Sequence, residues 1–162
     1  MADAVVPGRF QPPHVGHAYM IELAVGRYDE VYIGVATHEQ GTERNPLSYE
    51  DRRYVLEEAF EDVHVYEMER PRDPDYVERQ FEEELPEDVE VVTGNEETEA
   101  FVEDLGVEVR MLDELADLTY SGTRIRQRAR QGDSWRHLVP DGVDELLDEV
   151  GFEEQLRRLS EG

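Results

Sequence analysis

Short apolar runs alternate with longer stretches of helical periodicity along the whole chain. Residues 4–6, 31–35, 63–66, 89–93 and 107–111 read as strands. The run Val31–Val35 is apolar nearly throughout, as expected of a strand covered on both faces. Between the strands, apolar positions recur at helical spacing. Val15, Met20, Ile21, Leu23 and Ala24 share a helix over residues 14–25. Further helices are expected over residues 48–60, 76–84, 97–105, 121–131, 142–150 and 152–159. The second opens on Ser48-Tyr49-Glu50-Asp51, a capping-box pattern. Regular strand–helix alternation predicts an α/β fold with a doubly wound, mostly parallel sheet. With no linker or internal repeat, the chain reads as one domain over residues 1–162, of which 121–160 form a C-terminal helical part. In such sheets ligands bind beyond the carboxyl ends of the strands. The segments after Val6, Val35, Tyr66 and Thr93 are therefore expected around one crevice, joined by the loop before Ser121.

Composition narrows this picture. No apolar run approaches the ~20 residues of a membrane span, and Met1–Val6 lacks the pattern of a secretory signal. With no cysteine, disulfides and thiolate metal sites are excluded. A cytoplasmic protein is expected. Acidic residues number 41 against 16 basic ones, giving a net charge of −25, and every basic residue is arginine. Such a surface repels nucleic-acid backbones, so a nucleic-acid partner is not expected. It resembles a halophile's surface, whose carboxylates are screened in concentrated salt. A phosphate ligand would need locally focused arginines, and Arg124, Arg126, Arg128, Arg130 and Arg136 fall within one short stretch.

The segment Gly8-Arg9-Phe10-Gln11-Pro12-Pro13-His14-Val15-Gly16-His17 leaves the first strand and opens the first helix. Gly8 permits a sharp turn, and Pro12 and Pro13 delay the helix start. His14 and His17, three residues apart, share the first helical turn, where free N–H groups favour phosphate. Gly16 leaves the backbone open to a ligand. The same histidine pair also suits zinc, given a carboxylate or a distant histidine as a third ligand, or a plain helix start. Neither a Walker A loop nor a dinucleotide-binding glycine motif is present. Further on, Tyr120-Ser121-Gly122-Thr123-Arg124-Ile125-Arg126 supplies an N-cap serine, a second hydroxyl and, one turn later, Arg126 beside Thr123. Taken alone it also reads as a capped, arginine-rich surface helix.

Together the two segments resemble the signatures of the nucleotidyltransferase superfamily, His-x-Gly-His and Ile-Ser-Ser-Thr-x-x-Arg. Gly-Arg-Phe-Gln-Pro and Tyr-Ser-Gly-Thr are similar to the archaeal nicotinamide-nucleotide adenylyltransferase branch. Flavin and cytidylyl relatives usually carry Gly-Thr-Phe-Asp at the first segment. The resemblance covers Gly8 to about Leu159. It implies ATP binding by Gly8, Arg9, Phe10, His14, Gly16, His17, Arg44, Ser121, Thr123 and Arg126, with His14, His17 and Arg126 catalytic. Arg44-Asn45-Pro46-Leu47 resembles a family segment whose arginine reaches ATP phosphates, or is a surface turn. Gly94-Asn95 resembles a family turn at the acceptor, or is an ordinary strand-to-helix turn. Where relatives carry Asn-x-x-Trp, this chain has Asp73-Pro74-Asp75-Tyr76. Asp73 and Tyr76 are thus candidate acceptor contacts, Tyr76 as an aromatic wall and Asp73 as a carboxylate that repels nicotinic acid mononucleotide. Trp135 reads as packing.

The implied reaction is adenylyl transfer from ATP to nicotinamide mononucleotide (NMN), giving NAD and pyrophosphate. Mg²⁺ would arrive on the ATP phosphates, with no protein cage for it. The resemblance also implies a homo-oligomer, a hexamer being common among the archaeal relatives. Alternatives are the same chemistry on nicotinic acid mononucleotide or another phosphomonoester, and a non-catalytic nucleotide-sensing module.

Overall fold

A computed structural model describes residues 2–112 and 122–161, without the side chains of the last two. Five strands, β1 (Asp3–Gly8), β2 (Val31–Ala36), β3 (Val63–Met68), β4 (Val89–Thr93) and β5 (Glu108–Met111), form one sheet in the order β3-β2-β1-β4-β5. Every neighbouring pair is parallel. Chain order runs outward from β1 to β3, then crosses to β4 and β5. The topological switch point therefore lies between β1 and β4.

The alternation of side chains along each strand divides the core. Ala4, Val6, Val31, Ile33 and Val35 face one side, packed with Ala18, Ile21 and Ala24 of helix α1 (Val15–Arg27) and Leu56 of α2 (Tyr49–Ala59). Val5 and Val91 face the other side. They pack with Phe81 of α3 (Pro74–Glu83) and with Phe101 and Val102 of α4 (Glu96–Asp104). A third cluster joins α5 (Gly122–Gln131), α6 (Val143–Glu149) and α7 (Phe152–Glu161) to Leu47 and Val55. Trp135 lies in it, edge-on to Phe152 at 5.3 Å, with its indole N–H donated to Glu153. The C-terminal helices thus pack on the outer side of α2.

The expected elements are present among the described residues, with small shifts. Helix α3 begins at Pro74, earlier than residue 76, because Asp73 caps it and proline occupies its first turn. A 3₁₀ turn over Arg136–Leu138 was not foreseen. The expected wall before Ser121, and Ser121 itself, lie outside the described residues. Among the described residues no helix is long and apolar enough to cross a membrane.

Candidate active site

A cavity of about 600 Å³ opens at the carboxyl ends of β1 to β4, at the switch point. Each expected crevice segment that is described contributes to its wall. Gly8 and Arg9 follow β1, His38 follows β2, Pro71 and Arg72 follow β3, and Gly94 and Asn95 follow β4. His14, Gly16 and His17 complete the polar end.

The sharp exit from β1 is made at Phe10, with φ of 52°, rather than at Gly8. Gly8 instead makes room for that turn, since a Cβ there would lie 3.0 Å from the Phe10 ring. Phe10 is fully buried and packs on His17, ring centroids 4.4 Å apart. The turn therefore presses His17 into place from behind.

The two histidines fix each other. His14 is the N-cap of α1 and accepts the Gly16 N–H on Nδ1 at 3.1 Å. His17 reaches back and accepts the His14 N–H on its own Nδ1 at 3.0 Å. The rings stack with centroids 3.7 Å apart. Burial lowers the His14 pKa from 6.5 to about 4. Burial, and next the adjacent His14, hold His17 well below its ordinary value. Both rings are therefore neutral at pH 7. With each Nδ1 occupied as an acceptor, the single ring proton sits on Nε2. The helix start thus presents two fixed imidazole N–H donors.

Beside them lies a group of arginines. Arg126 is buried, donating Nη1 to the Gln11 carbonyl at 2.6 Å and Nη2 to Thr123 Oγ1 at 3.3 Å. Burial, and then the nearby guanidinium groups of Arg130, Arg44 and Arg9, pull its pKa down to about 10. It stays charged at pH 7. Arg130 pairs with Glu43 at 3.7 Å. Among the described residues, Arg9, Arg44 and Arg126 make no ion pair. Like charges held this close favour an anion between them. Arg44, Thr123 and Arg126 do not line the cavity itself. Arg126 is tied to the cavity through the Gln11 carbonyl and lies within the field of Arg44 and of Arg9, which lines the cavity.

The opposite end carries both apolar and polar side chains. Val77 and Phe81 of α3, Phe101 and Val102 of α4, and Met68 line it. Asp73 and Tyr76 do not. The Asp73 carboxylate accepts the N–H groups of Asp75 and Tyr76 as the cap of α3. Asn95 lines the cavity while its Oδ1 caps α4 through the Thr98 N–H at 3.0 Å. Glu97 and Arg72 also line the cavity and approach to 3.7 Å.

One residue that the sequence did not point to organises the polar end. Arg52 of α2 is fully buried and has no ion pair among the described residues. It donates to the carbonyls of Arg9 and Ala36, each at 2.8 Å, and to Gln40 Oε1 at 3.0 Å. It ties the exits of β1 and β2 together. Burial lowers its pKa to about 10, so it too remains charged. His38, which lines the cavity, was likewise not singled out.

Comparison with known proteins places this geometry in context. The cytidylyltransferase-like family model matches residues 5–128. A nicotinamide-nucleotide adenylyltransferase of Methanoculleus marisnigri is 33% identical, with 94% of each chain covered. The protein of the same description from Aeropyrum pernix is 32% identical over 99% of each chain. Among solved structures, the Francisella tularensis bifunctional NMN adenylyltransferase/ADP ribose pyrophosphatase superposes with a TM-score of 0.77 at 17% identity. That match covers 98% of this chain and 53% of the other, so this chain spans about half its length. The same protein in complex with AMP and manganese gives a TM-score of 0.71 at 16% identity, over 99% and 53% of the two chains. At these identities the likeness is one of fold.

Proposed function

Because the chain belongs to the cytidylyltransferase-like family and, within it, to the nicotinamide-nucleotide adenylyltransferases, we propose that its crevice joins ATP to NMN. The observation that carries this is the pairing of two neutral histidine donors with Arg9 and the neighbouring Arg126 beside one end of a cavity whose other end carries Phe81 and Phe101. A phosphate-rich nucleotide fits the first end and a flat pyridine ring the second.

In this reading an oxygen of the acceptor's 5′-phosphate attacks the α-phosphorus of ATP in line. The bond from that phosphorus to the bridging β-oxygen breaks, its electrons leave with pyrophosphate, and a dinucleotide remains. The nucleophile is already ionised at neutral pH, so no general base is needed. The protein's part is positioning and charge stabilisation. His14 and His17 donate Nε2–H to phosphoryl oxygens as charge builds on them. Arg9, Arg44 and Arg126 hold the polyphosphate, with Ser121 and Thr123 as short-range donors. Gly8, Phe10 and Gly16 shape the backbone around it. Gly94 and Asn95 face the acceptor. The aromatic wall is assigned to Phe81 and Phe101 in place of Tyr76. Mg²⁺ enters as part of the substrate MgATP. The setting is cytoplasmic NAD synthesis in a salt-adapted cell.

The test is direct conversion. Purified protein in molar KCl receives MgATP with NMN, with nicotinic acid mononucleotide in a parallel reaction and CTP replacing ATP in a third. NAD with equimolar pyrophosphate from the first mixture is the expected result. Product from CTP alone would assign the cytidylyl chemistry of the wider family.

A further inference from the structure

Three segments far apart in sequence meet at Gln11. Its side chain is 2% exposed and pairs with both backbone groups of Leu47. Nε2 donates to the Leu47 carbonyl at 2.8 Å, and the Leu47 N–H donates to Oε1 at 2.9 Å. Its own carbonyl accepts the buried Arg126 guanidinium. The start of α5 is pressed against the same residue. A Cβ on Gly122 would lie 3.0 Å from the Gln11 carbonyl oxygen and 2.6 Å from Arg126 Nη1.

The loop that carries Arg44 is internally braced. Asn45 accepts backbone N–H groups from Gly41 and Thr42 on its carbonyl, and its buried side chain donates to Glu39 and Thr42. Leu47, at the end of this loop, is fully buried. A braced loop moves as a unit, so what anchors Leu47 sets where Arg44 stands. Gln11 supplies the polar anchor, through both backbone groups of Leu47, beside the apolar cluster that its side chain joins.

We propose that Gln11 is a positioning residue, whose side-chain amide fixes the Arg44 loop through Leu47 and whose carbonyl fixes Arg126, so that both cations meet one polyphosphate. This rests on the adenylyltransferase reading. It assigns Gln11 no contact with substrate. Its side chain acts through Arg44, and its influence falls on the nucleotide rather than on the acceptor.

A double-mutant cycle tests this. Binding of MgATP and of NMN is measured separately by calorimetry for wild type, Gln11→Leu, Arg44→Ala and the double variant, with melting curves to confirm folding. Gln11→Leu is expected to weaken MgATP binding about tenfold and NMN binding less than about twofold. The double variant should bind MgATP no worse than the weaker single variant, because Arg44 is already misplaced. If Gln11→Leu does not fold, Gln11→Glu carries the same cycle, since it can still accept the Leu47 N–H but has lost the donor. Multiplying effects, equal weakening of both ligands, or unchanged MgATP binding in a folded variant would each overturn the proposal. Absence of MgATP binding to wild type would instead remove the adenylyltransferase reading beneath it.

Discussion

His14 and His17 stack 3.7 Å apart, and each gives its Nδ1 to a backbone N–H of the same helical turn. The arrangement dictates their protonation. The ¹⁵N spectrum of the free protein at pH 7 should show both rings as the neutral Nε2–H tautomer, and a cationic ring would contradict the donor assignment. The pH dependence follows. The folded pKa of His14, about 4, lies below the ordinary 6.5, and His17 is shifted the same way. The unfolded chain therefore binds these protons more readily. The stability they contribute is complete above pH 6.5 and is lost as pH falls toward 4. In His14→Asn, whose Oδ1 can still accept the Gly16 N–H, denaturant-derived stability should fall less between these limits than in wild type. An unchanged slope would contradict the shift.

The acceptor wall is a choice between two aromatics. Phe101 lines the cavity, whereas Tyr76 does not. Phe101→Leu should raise the KM for NMN by about tenfold while leaving the KM for ATP within about twofold, and Tyr76→Leu should change neither. Steady-state kinetics on both variants decides it. The reverse pattern would return Tyr76 to the acceptor site.

Arg52 is a charge buried on backbone carbonyls. Arg52→Ala leaves the Arg9 and Ala36 carbonyls without their donor and should cost about 3 kcal/mol in urea unfolding. A cost below about 1 kcal/mol would mean that water replaces the guanidinium.

How much of this was legible depended on whether the determining contacts were local. The five strands follow from apolar runs too short to be helices, and their parallel pairing follows from the helices between them, while the order of the strands in the sheet does not. The turn and helix start that hold His14 and His17 followed from residues contiguous in sequence. Asp73 misled because a carboxylate before proline reads equally as a ligand contact and as a helix cap, and the backbone took it as a cap. Phe81 and Phe101 carry ordinary amphipathic spacing, which cannot separate a cavity wall from core. Arg52 stands next to Arg53, which is exposed. Only the packing of α2 over the exits of β1 and β2 buries one of the pair.

The net charge of −25 bears on stability as a whole. At low ionic strength the carboxylates repel across the surface, while at about 1 M salt the screening length falls to about 3 Å. The melting temperature should rise by several degrees from about 0.1 M to about 2 M KCl, as followed by circular dichroism. A melting temperature that does not move would remove the salt-adapted reading.

Adenylyl transfer requires attack at the α-phosphorus of ATP, and position-specific labelling distinguishes that from attack at the γ-phosphorus. The protein is given NMN with ATP labelled either at the α- or at the γ-phosphorus, and the products are separated by chromatography. Adenylyl transfer puts α-label in NAD and γ-label in pyrophosphate. Transfer of γ-label to the acceptor, with ADP released, would show phosphoryl transfer and contradict it.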